Sequence, residues 1–348
     1  MTMSAPLIRA LRVEDAADCH AIRTQPQVIW GTLQLPTLSM EDVRAQLAAV
    51  PDGHRLGAEV DGKIVATCDL WVGGGMERHT GYLGIAVHDA YQGLGFGKEL
   101  MAAQLDLADK GLMLNRVALD VYLDNERAVR MYRSFGFLDE GVTRKDAMRD
   151  GTLVDLLHMG RLHPVLPHRP PAATPATPPS AGTRVLDGPK IRGARPEDVS
   201  FLLRILRQPA VQAALGRFPT HHDDDVRREY SPLPRGHHLF VAEAAGEVIG
   251  LAHLKQFGGR RSHVGKINTV AVDQAWQGRG VGSALLQAVV ALGERWLGLK
   301  RLQARVMAPD APALRLFQRH GFTPQVTQRE AFFREGRFVD AFILGRST

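Results

Sequence analysis

Ile85-Ala86-Val87-His88-Asp89-Ala90-Tyr91-Gln92-Gly93-Leu94-Gly95-Phe96-Gly97 opens as an apolar, β-branched run and closes as a glycine-rich turn, and a helical pattern follows at once. Glycines at such a turn let the backbone take unusual dihedrals and come close to a ligand. Successive amide donors and a helix N-terminus then make an anion site suited to a pyrophosphate. The dinucleotide fingerprint G-x-G-x-x-G needs an acid about 20 residues on. Here the spacing is Gln-x-x-Gly-x-Gly, and Asp120 falls later, inside the next strand. A nucleotide oxidoreductase therefore fits poorly. A phosphate loop of the Walker type is also excluded, because Gly97-Lys98-Glu99 lacks the hydroxyl that would hold magnesium.

The turn occurs twice. Val270-Ala271-Val272 precedes Gln277-Gly278-Arg279-Gly280-Val281-Gly282, at an offset of 185 residues from the first copy. Ile8-Arg9-Ala10 with Arg12, Glu14 and Asp15 matches Ile191-Arg192-Gly193 with Arg195, Glu197 and Asp198, and Gln25-Pro26 matches Gln208-Pro209, at an offset of 183. Gly136-Phe137 and Asp150-Gly151 with Asp155 match Gly321-Phe322 and Glu335-Gly336 with Asp340. Between the copies lie Pro164, Pro167, Pro170, Pro171, Pro175, Pro178 and Pro179, seven of the chain's 20 prolines. Proline has no backbone donor and stiffens the chain, so this stretch reads as a spacer. The expected layout is a first domain over 5–163, a Pro-rich linker over 164–188 and a second domain over 189–348.

At 348 residues the chain is long enough for two domains. With 45% hydrophobic and 23% charged residues it is ordinary for a globular protein, which excludes collagen-like, coiled-coil and largely disordered classes. No apolar run approaches the ~18 residues of a membrane helix, and Met1-Thr2-Met3-Ser4-Ala5-Pro6 is not a secretory signal. Two cysteines, Cys19 and Cys68, allow one disulfide on paper, but a reduced cytoplasmic protein is the better reading. The net charge of +6 comes from bases scattered among acids, which favours a local pocket for a phosphorylated small molecule over nucleic acid or a membrane surface.

Within the first half, strands are expected over Leu7–Ala10, Gly57–Val60, Lys63–Trp71, Tyr82–Val87 and Arg116–Leu123, with Asp61-Gly62 as a hairpin turn. Helical spacing covers Glu14–Thr24, Lys98–Lys110 and Glu126–Ser134, and a hairpin closes the unit from Phe137. The fold class is α/β with a mixed sheet flanked by helices.

The stretch from Ile85 to Gly97, its copy at Val270–Val272 and Gln277–Gly282, and the downstream Asn125-Glu126-Arg127-Ala128-Val129-Arg130-Met131-Tyr132-Arg133-Ser134-Phe135-Gly136-Phe137 together resemble the two motifs of the GCN5-related N-acetyltransferase family. Trp30-Gly31-Thr32-Leu33-Gln34-Leu35-Pro36 and the hairpin from Asp150 to Asp155 resemble, more loosely, bacterial L-amino-acid N-acetyltransferases. The resemblance implies two tandem acyltransferase folds, each with a splayed pair of parallel strands. It implies acetyl-CoA as cofactor, its pantetheine arm on the backbone of Ile85, Ala86 and Val87, or of Val270, Ala271 and Val272. The amides of Gln92, Gly93, Leu94, Gly95, Phe96 and Gly97, or of Gln277, Gly278, Arg279, Gly280, Val281 and Gly282, would hold the pyrophosphate, and Asn125 would touch the arm near the thioester.

The implied reaction is direct attack of a primary amine on the thioester. Alkyl amines titrate near ~10, so a base must first take a proton. An amide near Val87 would serve the oxyanion. The leaving thiolate needs a proton, and Tyr132 stands where the family places that acid. Candidate bases are Asp69, His79 and Glu140. In the second half Asn125 becomes Asp310 and Tyr132 becomes Phe317, which has no proton to give. The second domain is therefore expected to bind acetyl-CoA but transfer poorly, in a structural or regulatory role. Trp30, expected in a loop after the first helix, is the candidate apolar wall of an acceptor pocket.

No metal is expected. His221-His222-Asp223-Asp224-Asp225 reads as a solvated loop opening a helix toward Tyr230, and His237-His238 as a turn. Trp71, Trp276 and Trp296 read as packing residues, and Asp155 and Asp340 as anchors of the last hairpin. The acceptor is read as a small-molecule amine, for which the loose resemblance implies the amino-acid class. A non-catalytic acetyl-CoA-binding module and a transferase acting on protein lysines or N-termini stay open. So does the choice between a monomer of two pseudo-symmetric domains and a homodimer.

Overall fold

The computed structural model describes residues 5–49, 53–173, 188–216 and 223–347. They divide into two compact units, with the boundary between Pro170 and Pro171. Most of the proline-rich segment, residues 174–187, lies outside the described residues, as do His221 and His222.

The N-terminal unit runs β1 (Leu7–Ala10), α1 (Ala16–Arg23), α2 (Pro26–Gly31), α3 (Met40–Ala48), β2 (Gly53–Val60), β3 (Lys63–Val72), β4 (Thr80–Val87), α4 (Phe96–Asp106), β5 (Arg116–Tyr122), α5 (Glu126–Ser134), β6 (Leu138–Arg149) and β7 (Thr152–Leu162). Its strands lie in the order β1-β2-β3-β4-β5-β7-β6. Neighbours are antiparallel apart from β4 and β5, which are parallel. Asp61 and Gly62 turn the β2–β3 hairpin at φ +49° and +77°, the pair of positive dihedrals a two-residue turn needs. One face of the sheet buries Cys68, Leu70, Leu83, Val117, Leu119 and Val121 against Leu100, Met101 and Leu105 of α4 and Val129 of α5. The opposite face carries α1 to α3, where Cys19, Ile22, Val28 and Val43 are buried.

The C-terminal unit repeats the plan: β8 (Lys190–Gly193), α6 (Val199–Leu206), α7 (Pro209–Leu215), α8 (Asp223–Tyr230), β9 (His237–Ala244), β10 (Glu247–Gln256), β11 (Val264–Val272), α9 (Val281–Arg295), β12 (Arg301–Met307), α10 (Ala311–Arg319), β13 (Thr323–Arg334) and β14 (Arg337–Ser347). The order is β8-β9-β10-β11-β12-β14-β13, again with one parallel pair, β11 and β12. One of the two residues by which the repeat offset slips has a visible physical origin. Asp69 pairs with Gly84 and Leu70 with Leu83 without interruption, whereas His253 pairs with Thr269 and Leu254 with Ile267, so Asn268 bulges from β11.

Several expectations need correction. Trp30 lies in α2, a short helix started by Pro26 at its first position, and not in a loop. His237 and His238 begin β9, with His237 bonded to His253 at 3.0 Å. Trp71 and Trp296 are exposed rather than packed, whereas Trp276 does pack against the C-terminal core, beneath the guanidinium of Arg279. Asp223 to Asp225 form the first turn of α8, where acids suit the helix dipole. Both cysteines are buried and free. Asp155 and Asp340 do anchor the closing hairpins: each accepts, at 2.8 Å, the amide of a residue with positive φ, Lys145 or Glu330.

Candidate active site

The parallel pair β4–β5 is short. Its register runs Thr80↔Arg116, Gly81↔Val117 and Tyr82↔Ala118 and then stops. On its other edge β4 stays bonded to β3 as far as Ala66↔Val87. Ile85, Ala86 and Val87 thus present one backbone edge to an opening between β4 and β5. The C-terminal unit does the same: β11 and β12 pair only from Val264↔Arg301 to Ile267↔Ala304, which leaves Val270, Ala271 and Val272 on an open edge.

The turn beyond β4 is bent by Gly93 and Gly95 at φ +85° and +96°, and Gly95 caps α4 in the left-handed region. Lys98 and Glu99 both donate to the Gly95 carbonyl. Among the described residues, no backbone partner is found for the amides of Gly93, Leu94, Gly95, Phe96 and Gly97, as expected for a helix N-terminus with a glycine turn ahead of it. A Cβ added to Gly93 or Gly95 would meet nothing within 4 Å. Gln92 differs from its neighbours: its own amide bonds to Asp89, while Nε2 donates to Val87 O at 3.2 Å and Oε1 accepts from Arg127 at 3.0 Å. It staples the turn to the strand and brings a cation beside it. Gln277 repeats the staple to Val272 O at 3.1 Å, and Gly278 and Gly280 repeat the positive dihedrals at +74° and +86°. Row upon row of bare amides with open space before them fits a diphosphate in both units.

Asn125 is the N-cap of α5; its Oδ1 accepts from Ala128 N at 3.2 Å, and Nδ2 stands close to Gly31. Asp310 caps α10 with the same bond at 3.1 Å. Aspartate caps as well as asparagine, so the exchange preserves the helix and removes only the amide donor. Tyr132 is buried in the α4–α5 core, and its ring centroid is 6.0 Å from that of Phe137. Cys68 on β3, the register partner of Ile85, acts on it electrostatically. Burial pushes the phenol well above its usual range, so it stays protonated. Phe317 fills the same place, 5.2 Å from Phe322.

None of the three candidate bases reaches the splay as a free group. Asp69 is buried between Arg23 at 3.2 Å and Arg55 at 3.4 Å; burial raises its pKa while the two arginines oppose the rise. Glu140 is locked to Arg116 at 2.5 Å, with both side chains 1% exposed. His79 precedes β4, at the end of the strand away from the opening, and its carbonyl accepts the Arg116 amide.

The face of β4 and β5 toward α2 carries a carboxylate, Asp120, that is not among the three candidate bases. Asp120 is the first side chain on that face beyond the last pair of β4 and β5, and Gly84 leaves room on β4. Trp71 lies over Gly84, 3.4 Å from where a Cβ would be. At the rim, the Arg149 guanidinium is held between Trp30 (4.2 Å) and Tyr122 (4.7 Å) and bonds to both carboxylate oxygens of Asp124. Trp30 is thus partly exposed and tied through Arg149 to Tyr122 of β5.

The Acetyltransferase (GNAT) family profile matches residues 20–137 and 204–322. The chain belongs to this family, as two tandem copies of an N-acetyltransferase fold. The L-amino acid N-acetyltransferase AaaT of Escherichia coli (strain K12) is 32% identical over 161 residues, 46% of this chain and 99% of that protein. A mycothiol acetyltransferase of Thermobispora bispora is 29% identical over 246 residues, 69% of this chain and 71% of that protein. A solved GNAT-family acetyltransferase from Streptococcus pneumoniae is 27% identical, with a TM-score of 0.41 over 45% of this chain and 99% of that one.

Proposed function

We propose that residues 5–163 form a domain that moves an acetyl group from acetyl-CoA to the primary amine of a small molecule of the amino-acid class, and that residues 189–348 form a second domain that binds the same cofactor and transfers poorly. The observation that carries this reading is the coincidence, in the first domain alone, of an open strand edge at Ile85–Val87, bare amides from Gly93 to Gly97 and a buried, protonated Tyr132. When bound, acetyl-CoA supplies a thioester whose acyl carbon accepts the amine. Gly93 to Gly97 and Arg127 would hold its diphosphate and Ile85 to Val87 its arm. Tyr132 holds a proton for the departing sulfur; the dry surroundings that raise the phenol raise a thiolate beside it in the same direction. Trp30 and Trp71 would wall the acceptor, and the similarity to an L-amino acid N-acetyltransferase over the same half supports that acceptor class.

In the second domain Phe317 cannot donate a proton, and Thr269 and Arg305 stand where the first has Gly84 and Asp120. The test is acetyl-CoA consumption by the full chain over a panel of amino acids, polyamines and N-terminal peptides. Turnover confined to peptides would move the acceptor to proteins. Binding without turnover on any amine would leave a cofactor-responsive module. Tyr132→Phe is expected to lower kcat by ~100-fold or more; activity unchanged from pH 7 to 9 would remove Tyr132 as the acid.

A further inference from the structure

We propose that Asp120 takes the proton from the acceptor's amine, and that His158, Thr143 and Asp146 behind it form the relay that receives this proton. The proposal rests on the acetyl-transfer reading above and supplies the base it lacks. Side chains of β5 alternate: Val117, Leu119 and Val121 enter the α4 core, so Asp120 and Tyr122 face the other way. Tyr122 confirms the direction by donating to Thr32 O at 3.1 Å, just beyond α2. The carboxylate of Asp120 is 43% exposed, the open end of an otherwise buried chain of groups.

That chain crosses three strands. Asp120 Oδ1 lies 2.7 Å from His158 Nδ1 on β7, its register partner. His158 Nε2 lies 2.9 Å from Thr143 Oγ1 on β6, and Thr143 Oγ1 lies 2.7 Å from Asp146 Oδ2. A looser approach of 3.4 Å joins Thr143 to the Leu156 carbonyl. Three close contacts in series need three hydrogens. With both carboxylates ionised and the imidazole neutral, only two are available: one on the ring and one on the threonine. One further proton completes the series, with the ring donating at both nitrogens and Thr143 turned toward Asp146. The network is therefore built to gain a proton at its exposed end.

The step balances. An alkylammonium at Asp120 gives up one proton, which the relay holds on His158. The freed amine forms the C–N bond as the C–S bond breaks. The nitrogen then sheds a second proton to solvent, Tyr132 gives one to the sulfur, and the proton held on His158 returns by way of solvent to restore Tyr132, so that one proton leaves overall. The charged and titratable groups around the relay are Tyr82 on β4, Arg116 on β5 paired with Glu140 on β6, and Asp146 on β6. In the second domain the four positions become Arg305, Ile343, Gln328 and Ala331, and the series is lost.

The test combines imidazole NMR with kinetics on the full chain. In ¹⁵N-histidine protein without ligand, Asp120→Asn is expected to lower the pH at which His158 titrates by about one unit or more, because a carboxylate beside an imidazole favours its charged form. Asp120→Asn and His158→Gln are each expected to cut kcat by ~100-fold and to move the acid limb of kcat/KM, with KM for acetyl-CoA within about twofold of native. His158→Gln carries the test should Asp120→Asn fail to fold. An active native chain whose variants keep the native kcat and acid limb overturns the relay and leaves acetyl transfer standing. A native chain that turns over no amine overturns the reading beneath it.

Discussion

Arg116 and Glu140 make the most buried ion pair described in the N-terminal unit, and their fate in the C-terminal unit shows what the pair is for. Arg301 has the position of Arg116, but its bond runs to the amide oxygen of Gln325, at 2.5 Å. In both units the partner side chain lies against a glycine, Gly160 or Gly345, where a Cβ would come within 2.4 Å of it. The site requires an acceptor of that length and tolerates either charge state. Glu140→Ala is accordingly expected to cost roughly 3–5 kcal/mol, since it strands a buried guanidinium. Glu140→Gln should cost far less, and chemical denaturation of both variants measures the difference. Sequence position alone made Glu140 resemble a base; only its burial shows that it is spent on Arg116. Asp120 is the reverse case. It stood in plain view within a strand, but its partners lie at His158, Thr143 and Asp146, and only strand register brings them together.

At the level of elements, the glycine turn and α4 were legible because their chemistry is local. Gly95, Phe96 and Gly97 specify a left-handed cap and a helix start within a few residues. Gly95→Ala places a Cβ at φ +96°, a strained dihedral in open space. A loss of about 1 kcal/mol in stability is expected, with weaker coenzyme A binding by calorimetry and no change in the amine's KM. Helices α2 and α3 were less legible, being short and lacking a long apolar period; capping by Pro26 and by Ser39 with Asp42 defines them instead. The start of each unit is held by a clamp in which Arg9 bonds Asp15 and Glu59, and Arg192 bonds Asp198 and Glu243. The arginine bonds hold the Asp15 and Asp198 carboxyls below their usual range. A folded value below the unfolded one stabilises fully above the unfolded value of ~3.9 and is lost as pH falls through the folded one. Asp15→Asn and Asp198→Asn are therefore expected to lower the unfolding midpoint at pH 6 and to narrow the gap from native as pH drops below about 3.

Across the whole chain the duplication was the most legible feature, since two ordered sets of motifs at nearly constant offset need no structure to be seen. The last step of the shift within the offset was not, because the one bulged residue behind it, Asn268, looks like any other insertion. Two matched glycine turns predict two coenzyme A sites, and isothermal titration of the full chain should resolve about two equivalents, falling to about one in Gly280→Ala if the cap is essential there. A fit to one site in the native chain would show that the second turn holds no ligand.

Where the first domain sets an aspartate beside its strand opening, the second sets Arg305, sunk against the ring of Phe332 at 4.3 Å and pushed down by burial to about 10. A guest carrying a positive nitrogen would be repelled from that spot and one carrying a carboxylate or phosphate welcomed. Duplication has thus left opposite charges at matching places, and on the proposed reading a compound that fits one mouth of this protein is, by charge alone, a poor visitor to the other.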